Sequence, residues 1–304
     1  MADFRLGRVV GTGSYSEVRI AQDTHTDSVL ALKQMQKTRL LARKAVRRVQ
    51  EEKEILSKLN HKLVVTYRGA FQDQAYLYLV TDFVSGGELY SLLAQKGQLS
   101  KAETRFYAAE IAVALSYLHS EDIVYRDLKA ENVLIAASGH IKLADFGCAK
   151  RLKQGEKTFS LVGTPHCLAP EVIQRSGHGF ATDWWTLGIL LYELLLGESP
   201  FEASTPYELY AKIISKEAEF PKDMDSAALD LVCGLLRKAP GERYGEREVI
   251  EHPFFQGFNW SAQDEWTPPQ VPVLKDALDT HHFEEFETSL EVAAAVPNSV
   301  FAGF

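Results

Sequence analysis

The first residue whose type and position could do chemistry is a lysine inside an apolar, β-prone stretch. Lys33 follows Ala31 and Leu32, and an ammonium group among apolar side chains is costly unless it meets an anion. Glu52, on a predicted helix, can supply that anion, and phosphate groups can share the same lysine. Either residue alone would more often be a surface charge, but the two together predict an anion-binding site.

A glycine-rich turn lies between the two strands that are predicted to precede this lysine. Gly11 and Gly13 fall in the run Gly11-Thr12-Gly13-Ser14-Tyr15-Ser16-Glu17-Val18. Glycines let backbone amides approach a phosphate closely, although such a turn is more often an ordinary hairpin. A dinucleotide-binding fold would need a helix after the glycines, whereas a strand is predicted here, and Ser16 stands where a third glycine would be.

The most polar segment lies between residues 119 and 170. It contains Tyr125-Arg126-Asp127-Leu128-Lys129-Ala130-Glu131-Asn132, then Asp145-Phe146-Gly147, and then Ala169-Pro170-Glu171. With the glycine-rich turn and Lys33, these motifs stand in the order of the protein kinase signature. The chain therefore resembles the protein kinase family, which implies phosphoryl transfer from ATP to a protein hydroxyl.

This resemblance implies a role for four polar residues. Asp127 would accept the proton of the substrate hydroxyl. Lys129, two positions later as in serine/threonine kinases, would steady the transferred γ-phosphoryl group. Lys33, held by Glu52, would contact the α- and β-phosphates of ATP.

The resemblance also implies the nucleotide and metal sites. Asn132 and Asp145 would hold two Mg²⁺ ions, with Mn²⁺ as an alternative, because these ions prefer oxygen ligands. Apolar side chains would form an adenine slot, with Thr81 at its back and a hinge after it. The expected nucleotide-binding residues are Val10, Gly11, Thr12, Gly13, Ser14, Tyr15, Val18, Ala31, Lys33, Thr81, Asp82, Val84, Glu88, Glu131, Asn132, Leu134, Ala144, Asp145 and Phe283.

Four further features resemble the AGC group of kinases, and within it the cAMP-dependent type. Tyr125 precedes Arg126-Asp127 where most kinases have histidine, and Gly163-Thr164-Pro165 precedes the Ala-Pro-Glu motif. The tail run Phe283-Glu284-Glu285-Phe286-Glu287 resembles a segment that lays a phenylalanine over the nucleotide. Phe301-Ala302-Gly303-Phe304 resembles a hydrophobic motif that packs on the small lobe, and an ending in Phe304 favours the cAMP-type catalytic subunit.

Three carboxylates fall where this group binds arginines of a basic peptide substrate: Glu88, Glu131 and Glu193. The resemblance places an apolar pocket for the residue after the target at Leu161, Pro165 and Leu168. His166 and Cys167 depart from the group, which usually has an acid and an aromatic residue there.

Ser160 lies three residues before Gly163, at the position of the activation-loop phosphosite. A phosphate there would add about −1.5 to −2 charges. The cations expected to receive it are Arg126, Lys150 and Arg48. An upstream kinase or autophosphorylation would supply the phosphate.

The elements that must position these residues follow from the hydrophobic pattern. Helical spacing predicts one helix over Ala42–Leu59, and Ser100 with Glu103 and Thr205 with Pro206 predict two helix starts. Short β-prone runs predict five strands at Arg5–Gly11, Glu17–Asp23, Ser28–Met35, Val64–Phe71 and Ala75–Asp82.

With the resemblance, these elements predict an α+β fold of two lobes. The kinase domain would cover residues 1–254, with a small lobe to about residue 82, a hinge at 82–87 and a mostly helical lobe at 88–254. The small lobe would hold a five-stranded antiparallel sheet and one main helix. Residues 255–304 would form an AGC-type extension that ends in the Phe-x-x-Phe motif.

Composition limits the remaining classes of partner and location. The net charge of −8 argues against nucleic acid, which needs a basic surface. The apolar run from Trp184 to Leu196 contains Glu193 and is too short to span a membrane. Three cysteines without a C-x-x-C pair favour a reducing compartment, so we expect a cytoplasmic protein, with the nucleus left open as a second location.

Three alternatives stay open at this point. A pseudokinase scaffold is disfavoured by intact Lys33, Asp127, Asn132 and Asp145. A small-molecule kinase is disfavoured by the activation segment and by the acids for a basic peptide. A cyclic-GMP-dependent or other AGC catalytic domain is the third. Because no cyclic-nucleotide-binding domain lies in the sequence, we expect a separate regulatory subunit, or residues outside this chain, to control activity.

Overall fold

The computed structural model describes residues 3–286 and 294–304, so Glu287 of the tail motif lies outside the described residues. The small lobe contains the predicted five-stranded antiparallel sheet, in the spatial order β1-β2-β3-β5-β4. Its strands are β1 (Phe4–Thr12), β2 (Ser16–Asp23), β3 (Val29–Gln36), β4 (Tyr67–Gln72) and β5 (Tyr76–Asp82). The central strand β3 pairs Lys33 with Val18 on one side and with Leu79 on the other.

The fourth strand begins later than the β-prone run predicted. Val64 and Val65 are not part of β4, because they pair instead with Leu143 of the larger lobe. This short pairing connects the two lobes directly behind the sheet.

The helix predicted over Ala42–Leu59 forms but is shorter than predicted, and a second short helix that was not predicted ends where the predicted range begins. α1 (Lys37–Ala42) and α2 (Val46–Leu56) are separated by a turn in which Lys44 has φ 53°. Leu40 and Val49 are both completely buried in the same core. On one continuous helix they would point about 180° apart, so the turn lets both side chains face the core.

The larger lobe is mostly helical. Its long helix α4 begins with the predicted capping box, in which Ser100 accepts a hydrogen bond from the backbone N–H of Glu103. α6 is buried along most of its length, and no helix of the described residues is long and apolar enough to cross a membrane. The helices are α3 (Leu89–Lys96), α4 (Lys101–Ser120), α5 (Pro170–Ile173), α6 (Ala181–Leu196), α7 (Pro206–Ser215), α8 (Ser226–Leu235) and α9 (Glu246–Ile250).

The polar segment between α4 and α5 contains four short strands, which form two antiparallel pairs. β6 (Ile123–Val124) pairs with β9 (Lys150–Arg151), and β7 (Val133–Ile135) pairs with β8 (Ile141–Leu143). Behind this segment, Glu171 and Arg243 form a buried two-point ion pair, with N–O distances of 2.7 and 2.9 Å. A guanidinium matches a carboxylate in this geometry, so the pair fixes the end of the segment.

The C-terminal residues return to the small lobe. Phe301 is completely buried beside the sheet, and the ammonium of Lys37 lies 5.2 Å from the centre of its ring. Lys37 also donates to the side chain of Asn298 at 2.6 Å. The ring of Phe304 lies near Lys53 on α2. The two aromatic residues of the terminal motif therefore pack against the small lobe, next to α1 and α2.

Replacing Phe301 with alanine should lower the free energy of unfolding by about 3–5 kcal/mol, because a buried phenylalanine leaves a cavity. Urea denaturation measures this change. Val300 lies on the same turn but is 46% exposed, so Val300→Ala is the matched control and should cost about 0.5 kcal/mol or less. Equal losses in both variants would contradict the docking of Phe301.

Candidate active site

A cleft of about 420 Å³ lies between the sheet and the larger lobe. Most of the residues that the sequence assigned to nucleotide or catalysis line it together. They are Val10, Gly11, Thr12, Gly13, Val18, Ala31, Lys33, Glu52, Thr81, Asp82, Val84, Glu88, Lys129, Glu131, Asn132, Leu134, Ala144, Asp145 and Phe283. Ser14, Tyr15 and Asp127 are not part of this lining.

Several lining residues were missed by sequence reasoning. Leu79 lies two positions before Thr81 on β5, and Leu56 lies one helical turn after Glu52 on α2. Strand and helix periodicity could have found both. The complete missed set is Ser16, Leu56, Val65, Leu79, Phe83, Tyr90, Glu284 and Phe286.

Lys33 joins two carboxylates at the inner end of the cleft. Its ammonium lies 2.6 Å from Glu52 on α2 and 2.9 Å from Asp145 on the loop after β8. Burial opposes the charge on Lys33, but the two carboxylates together raise its pKa. Lys33 in turn lowers the pKa of Asp145 to about 2, whereas burial raises the pKa of Glu52 and Lys33 acts against that rise. This triad brings the sheet, α2 and the larger lobe to one point.

The glycine-rich turn closes tightly over the cleft. The backbone N–H of Gly13 donates to the carbonyl of Ser16 at 2.7 Å. A Cβ at Gly13 would lie 2.7 Å from the hydroxyl of Ser16. Ser16, which stands where a third glycine was expected, therefore fits because Gly13 has no side chain. Tyr15 is half-buried at the tip, where burial raises its pKa and the nearby Lys33 acts against that rise.

Asp127 is held firmly beside the cleft. Its Oδ1 accepts hydrogen bonds from the backbone N–H of Thr164 at 3.0 Å and from the Thr164 hydroxyl at 2.9 Å. Its Oδ2 accepts a hydrogen bond from the amide nitrogen of Asn132 at 3.1 Å. Lys129 lines the cleft and lies 4.0 Å from Glu131. The fixed carboxylate and the nearby ammonium are suited to proton acceptance and anion stabilisation, respectively.

The backbone of this loop depends on a buried carboxylate from α6. Asp183 is fully buried and accepts hydrogen bonds from the backbone N–H groups of Tyr125 at 2.9 Å and Arg126 at 2.7 Å. Arg126 has φ 68° and Asp145 has φ 48°. A non-glycine residue in this region costs on the order of 1–3 kcal/mol. Asp183 therefore stabilises a backbone that would otherwise relax.

Of the three acids expected to bind a basic peptide, Glu88 and Glu131 line the cleft, whereas Glu193 on α6 is not part of its lining but is close enough to Glu131 to feel its charge. Burial and the neighbouring Glu131 raise the pKa of Glu88 to about 7. The same two causes raise the pKa of Glu193 to about 7. His166 lies 3.7 Å from Glu193, and burial lowers the pKa of this histidine. A group of carboxylates that resists ionisation in this way is stabilised by an incoming cation.

The activation segment brings Ser160 to only one of its three expected cations. Arg126 donates to the Ser160 hydroxyl at 2.8 Å. Lys150 donates instead to the hydroxyl of Thr158 at 3.0 Å, which lies 3.3 Å from that of Ser160. Arg48 is directed to the carbonyl of Gly147 and to the sulfur of Cys148, so it is bound elsewhere in this structure.

The three residues expected to form the apolar pocket differ in exposure. Leu168 is buried, whereas Leu161 is 43% exposed. Pro165 begins a short 3₁₀ turn over Pro165–Cys167. Of the apolar side chains on the two sides of Gly163 in sequence, Leu161 is therefore open to solvent and Leu168 is buried.

The expected metal ligands offer one carboxylate and one amide on the cleft wall. Asn132 uses its nitrogen to donate to the carbonyl and carboxylate of Asp127, so its oxygen takes no part in these bonds. No group of three or more His, Cys, Asp or Glu side chains forms a metal site within residues 3–286 and 294–304. Mg²⁺ keeps several of its waters and binds substrate phosphates, so it needs only one or two ligands from the protein. Asn132 and Asp145 therefore fit that ion.

Comparison with known proteins agrees with this geometry. The family model for the protein kinase domain matches residues 4–255. A Dictyostelium discoideum protein named as a probable serine/threonine-protein kinase is 41% identical over 93% of this chain and 64% of its own length. The human cAMP-dependent protein kinase catalytic subunit PRKX is 39% identical, over 98% of this chain and 85% of its own length.

A third relative shows how much longer some of these proteins are. The cAMP-dependent protein kinase catalytic subunit of Dictyostelium discoideum is 39% identical over 98% of this chain, which spans only 47% of that protein. Membership of the matched family implies the use of ATP with a divalent metal ion. From the matched domain and these relatives, the chain belongs to the protein kinase family, on its serine/threonine branch.

Proposed function

We propose that this chain transfers the γ-phosphoryl group of ATP, with Mg²⁺, to serine or threonine hydroxyls in basic segments of proteins. The observation that carries the proposal is the Lys33–Glu52–Asp145 triad on the wall of a cleft. ATP would supply the phosphoryl group, and Mg²⁺ held by Asn132 and Asp145 would neutralise phosphate charge.

Asp127 would act as the proton acceptor for the substrate hydroxyl. Two hydrogen bonds from Thr164 and one from Asn132 fix its carboxylate in one orientation. A general base must lie within hydrogen-bond reach of the proton that it removes. Fixing the carboxylate before the substrate arrives lowers the entropic cost of reaching that geometry.

Glu88, Glu131 and Glu193 would select basic substrates. Each charge-assisted hydrogen bond to an arginine contributes roughly 1.5–3 kcal/mol. The raised pKa values of Glu88 and Glu193 support this role, because an arginine would offset both the burial and the repulsion from Glu131 that raise them. Leu161, Pro165 and Leu168 would contact the residue after the target.

Phosphorylation of Ser160 would order the activation segment. The Ser160 hydroxyl already accepts a hydrogen bond from Arg126. Lys150 donates to the hydroxyl of Thr158, which lies next to that of Ser160. A phosphate would strengthen the contact with Arg126 through its charge and would attract Lys150 away from Thr158. For Arg48 to join them, it would have to leave Gly147 and Cys148.

Control would come from a separate regulatory subunit that binds a cyclic nucleotide. Two of the relatives described above carry the name of a cAMP-dependent catalytic subunit, and this supports control by such a regulatory subunit.

The cytoplasm is the proposed location of the protein.

The test is ATP turnover on a peptide with two arginines before the target serine and an apolar residue after it. We expect this peptide to be preferred by at least about tenfold over an acidic peptide. Asp127→Asn should remove turnover while leaving ATP binding within about twofold, because Asp127 does not line the cleft.

Protein with and without phosphate on Ser160, checked by mass spectrometry, completes this assay. Activity without preference for the basic peptide would contradict the role of the three acids. Full activity in phosphate-free Ser160→Ala protein would contradict the role of Ser160. No activity in either form would overturn the proposed function.

Preference for arginine should increase as the pH rises through about 7. Only ionised carboxylates bind arginine strongly, and Glu88 and Glu193 each have a pKa of about 7 without a substrate. We expect the ratio of kcat/KM for the arginine peptide to that for an alanine-substituted peptide to rise several-fold between about pH 6 and about pH 8.

Glu193→Gln should lower this ratio at high pH and reduce its dependence on pH. Glu246 is exposed on α9, so Glu246→Gln is the matched control and should behave as the unchanged protein. A ratio that stays constant with pH in the unchanged protein would show that these carboxylates do not bind the arginines.

A further inference from the structure

Arg8 connects the first strand of the sheet to the C-terminal tail. Its Nη2 donates to the backbone carbonyls of Thr280 and Phe283, both at 2.8 Å, and of Glu284 at 3.2 Å. Its Nη1 lies 3.9 Å from the exposed carboxylate of Glu285. One side chain thus binds three backbone carbonyls of a single tail turn, from more than 270 residues away in sequence.

The tail turn is already ordered by its own hydrogen bonds. The carboxylate of Asp279 accepts from the backbone N–H of Lys275 at 2.8 Å and of His281 at 3.1 Å. The N–H of Phe283 donates to the carbonyl of Thr280 at 3.0 Å. Arg8 therefore binds a formed turn and does not have to create one.

The opposite side of the turn is seated on the hinge. A Cβ at Gly87, where φ is +83°, would lie 2.7 Å from both the Cβ and the carbonyl oxygen of His282. A Cβ at Gly86 would lie 2.6 Å from the ring of Pro272. The two glycines leave room for the tail to cross the hinge, so the turn is held between the hinge and Arg8.

This position places Phe283 on the cleft wall. Its ring packs against Phe83 of the hinge, with 5.5 Å between the ring centres, and it is 9% exposed. Phe283 and Glu284 line the cleft and also supply two of the carbonyls that Arg8 binds. Val10 and Gly11, which follow Arg8 on β1, line the same cleft.

We propose that Arg8 is a positioning residue for nucleotide binding, because it clamps the tail turn so that Phe283 covers the cleft. The inference rests on the proposed function in its assignment of the cleft to ATP. Without Arg8, the three carbonyls would bind water, and the turn would lose its attachment to β1 while keeping its contact with the hinge. A lysine can donate to these carbonyls as a point charge, but it lacks the fixed geometry of a guanidinium.

The experiment measures the Kd for ATP with Mg²⁺ directly, by calorimetry, together with the KM for ATP and kcat on the basic peptide. Arg8→Ala should raise both Kd and KM by about tenfold, as expected for the loss of charge-assisted hydrogen bonds. The value of kcat should stay within about twofold, because Arg8 does not touch the reacting groups. Arg8→Lys should give an intermediate Kd.

Two further variants separate this role from a general loss of structure. Arg5 is exposed on the same strand, so Arg5→Ala is the matched control and should leave Kd unchanged. Phe283→Ala should weaken binding to a similar extent as Arg8→Ala, and the double variant should be no weaker than either single variant, because both changes remove one device.

The outcomes are distinct. An unchanged Kd in Arg8→Ala, or fully additive losses in the double variant, would overturn the inference. A fall in kcat with unchanged KM would overturn it as well. Because Kd is measured without a peptide, weaker ATP binding in a protein that phosphorylates no peptide would support the inference while contradicting the proposed function.

Discussion

The active site depends on one lysine that is shared by two carboxylates from different parts of the chain. Lys33 is mostly buried, with 18% of its side chain exposed, and Glu52 is almost completely buried. Without the lysine, Glu52 and Asp145 would repel each other at close range, and Glu52 would be a buried charge without a partner. The ammonium of Lys33 and the carboxylates of Glu52 and Asp145 therefore fix the positions of the sheet, α2 and the loop after β8 relative to one another.

A second constraint acts on the opposite side of the cleft. Asp183 fixes the backbone of Tyr125 and Arg126, and thereby the conformation that leads into Asp127. The ring of Tyr125 packs against Phe146, which follows Asp145 directly. The buried carboxylate of α6 thus supports both Asp127 and Asp145, the residue that meets Lys33, although it does not itself reach the cleft.

Local patterns in the sequence predicted the parts of this structure that local interactions determine. Short β-prone runs predicted the five strands, and the cost of an isolated buried ammonium predicted that Lys33 has an anionic partner. The capping box at Ser100 predicted the start of α4. The short helix α1 and the turn at Lys44 that separates it from α2 could not be predicted, because no glycine or proline is present there and the turn is required only by where Leu40 and Val49 must pack.

Contacts over long sequence separations were also beyond prediction. Nothing near Gly86 and Gly87 in the sequence indicates that the tail crosses over them, which is why the structure needs glycines there. Arg8 carries no local pattern that sets it apart from other charges in the sequence, yet it binds the tail. Arg48 was expected near Ser160, but its guanidinium donates to Gly147 and Cys148 instead.

The most direct test of the shared lysine is the free energy of unfolding of Lys33→Met and of the double variant Lys33→Met/Glu52→Gln, measured in urea at neutral pH. Lys33→Met should lose about 3–5 kcal/mol, because it leaves Glu52 buried without a cation. The double variant should recover most of that loss. A double variant less stable than Lys33→Met would contradict the claim that Lys33 holds the site together by neutralising Glu52.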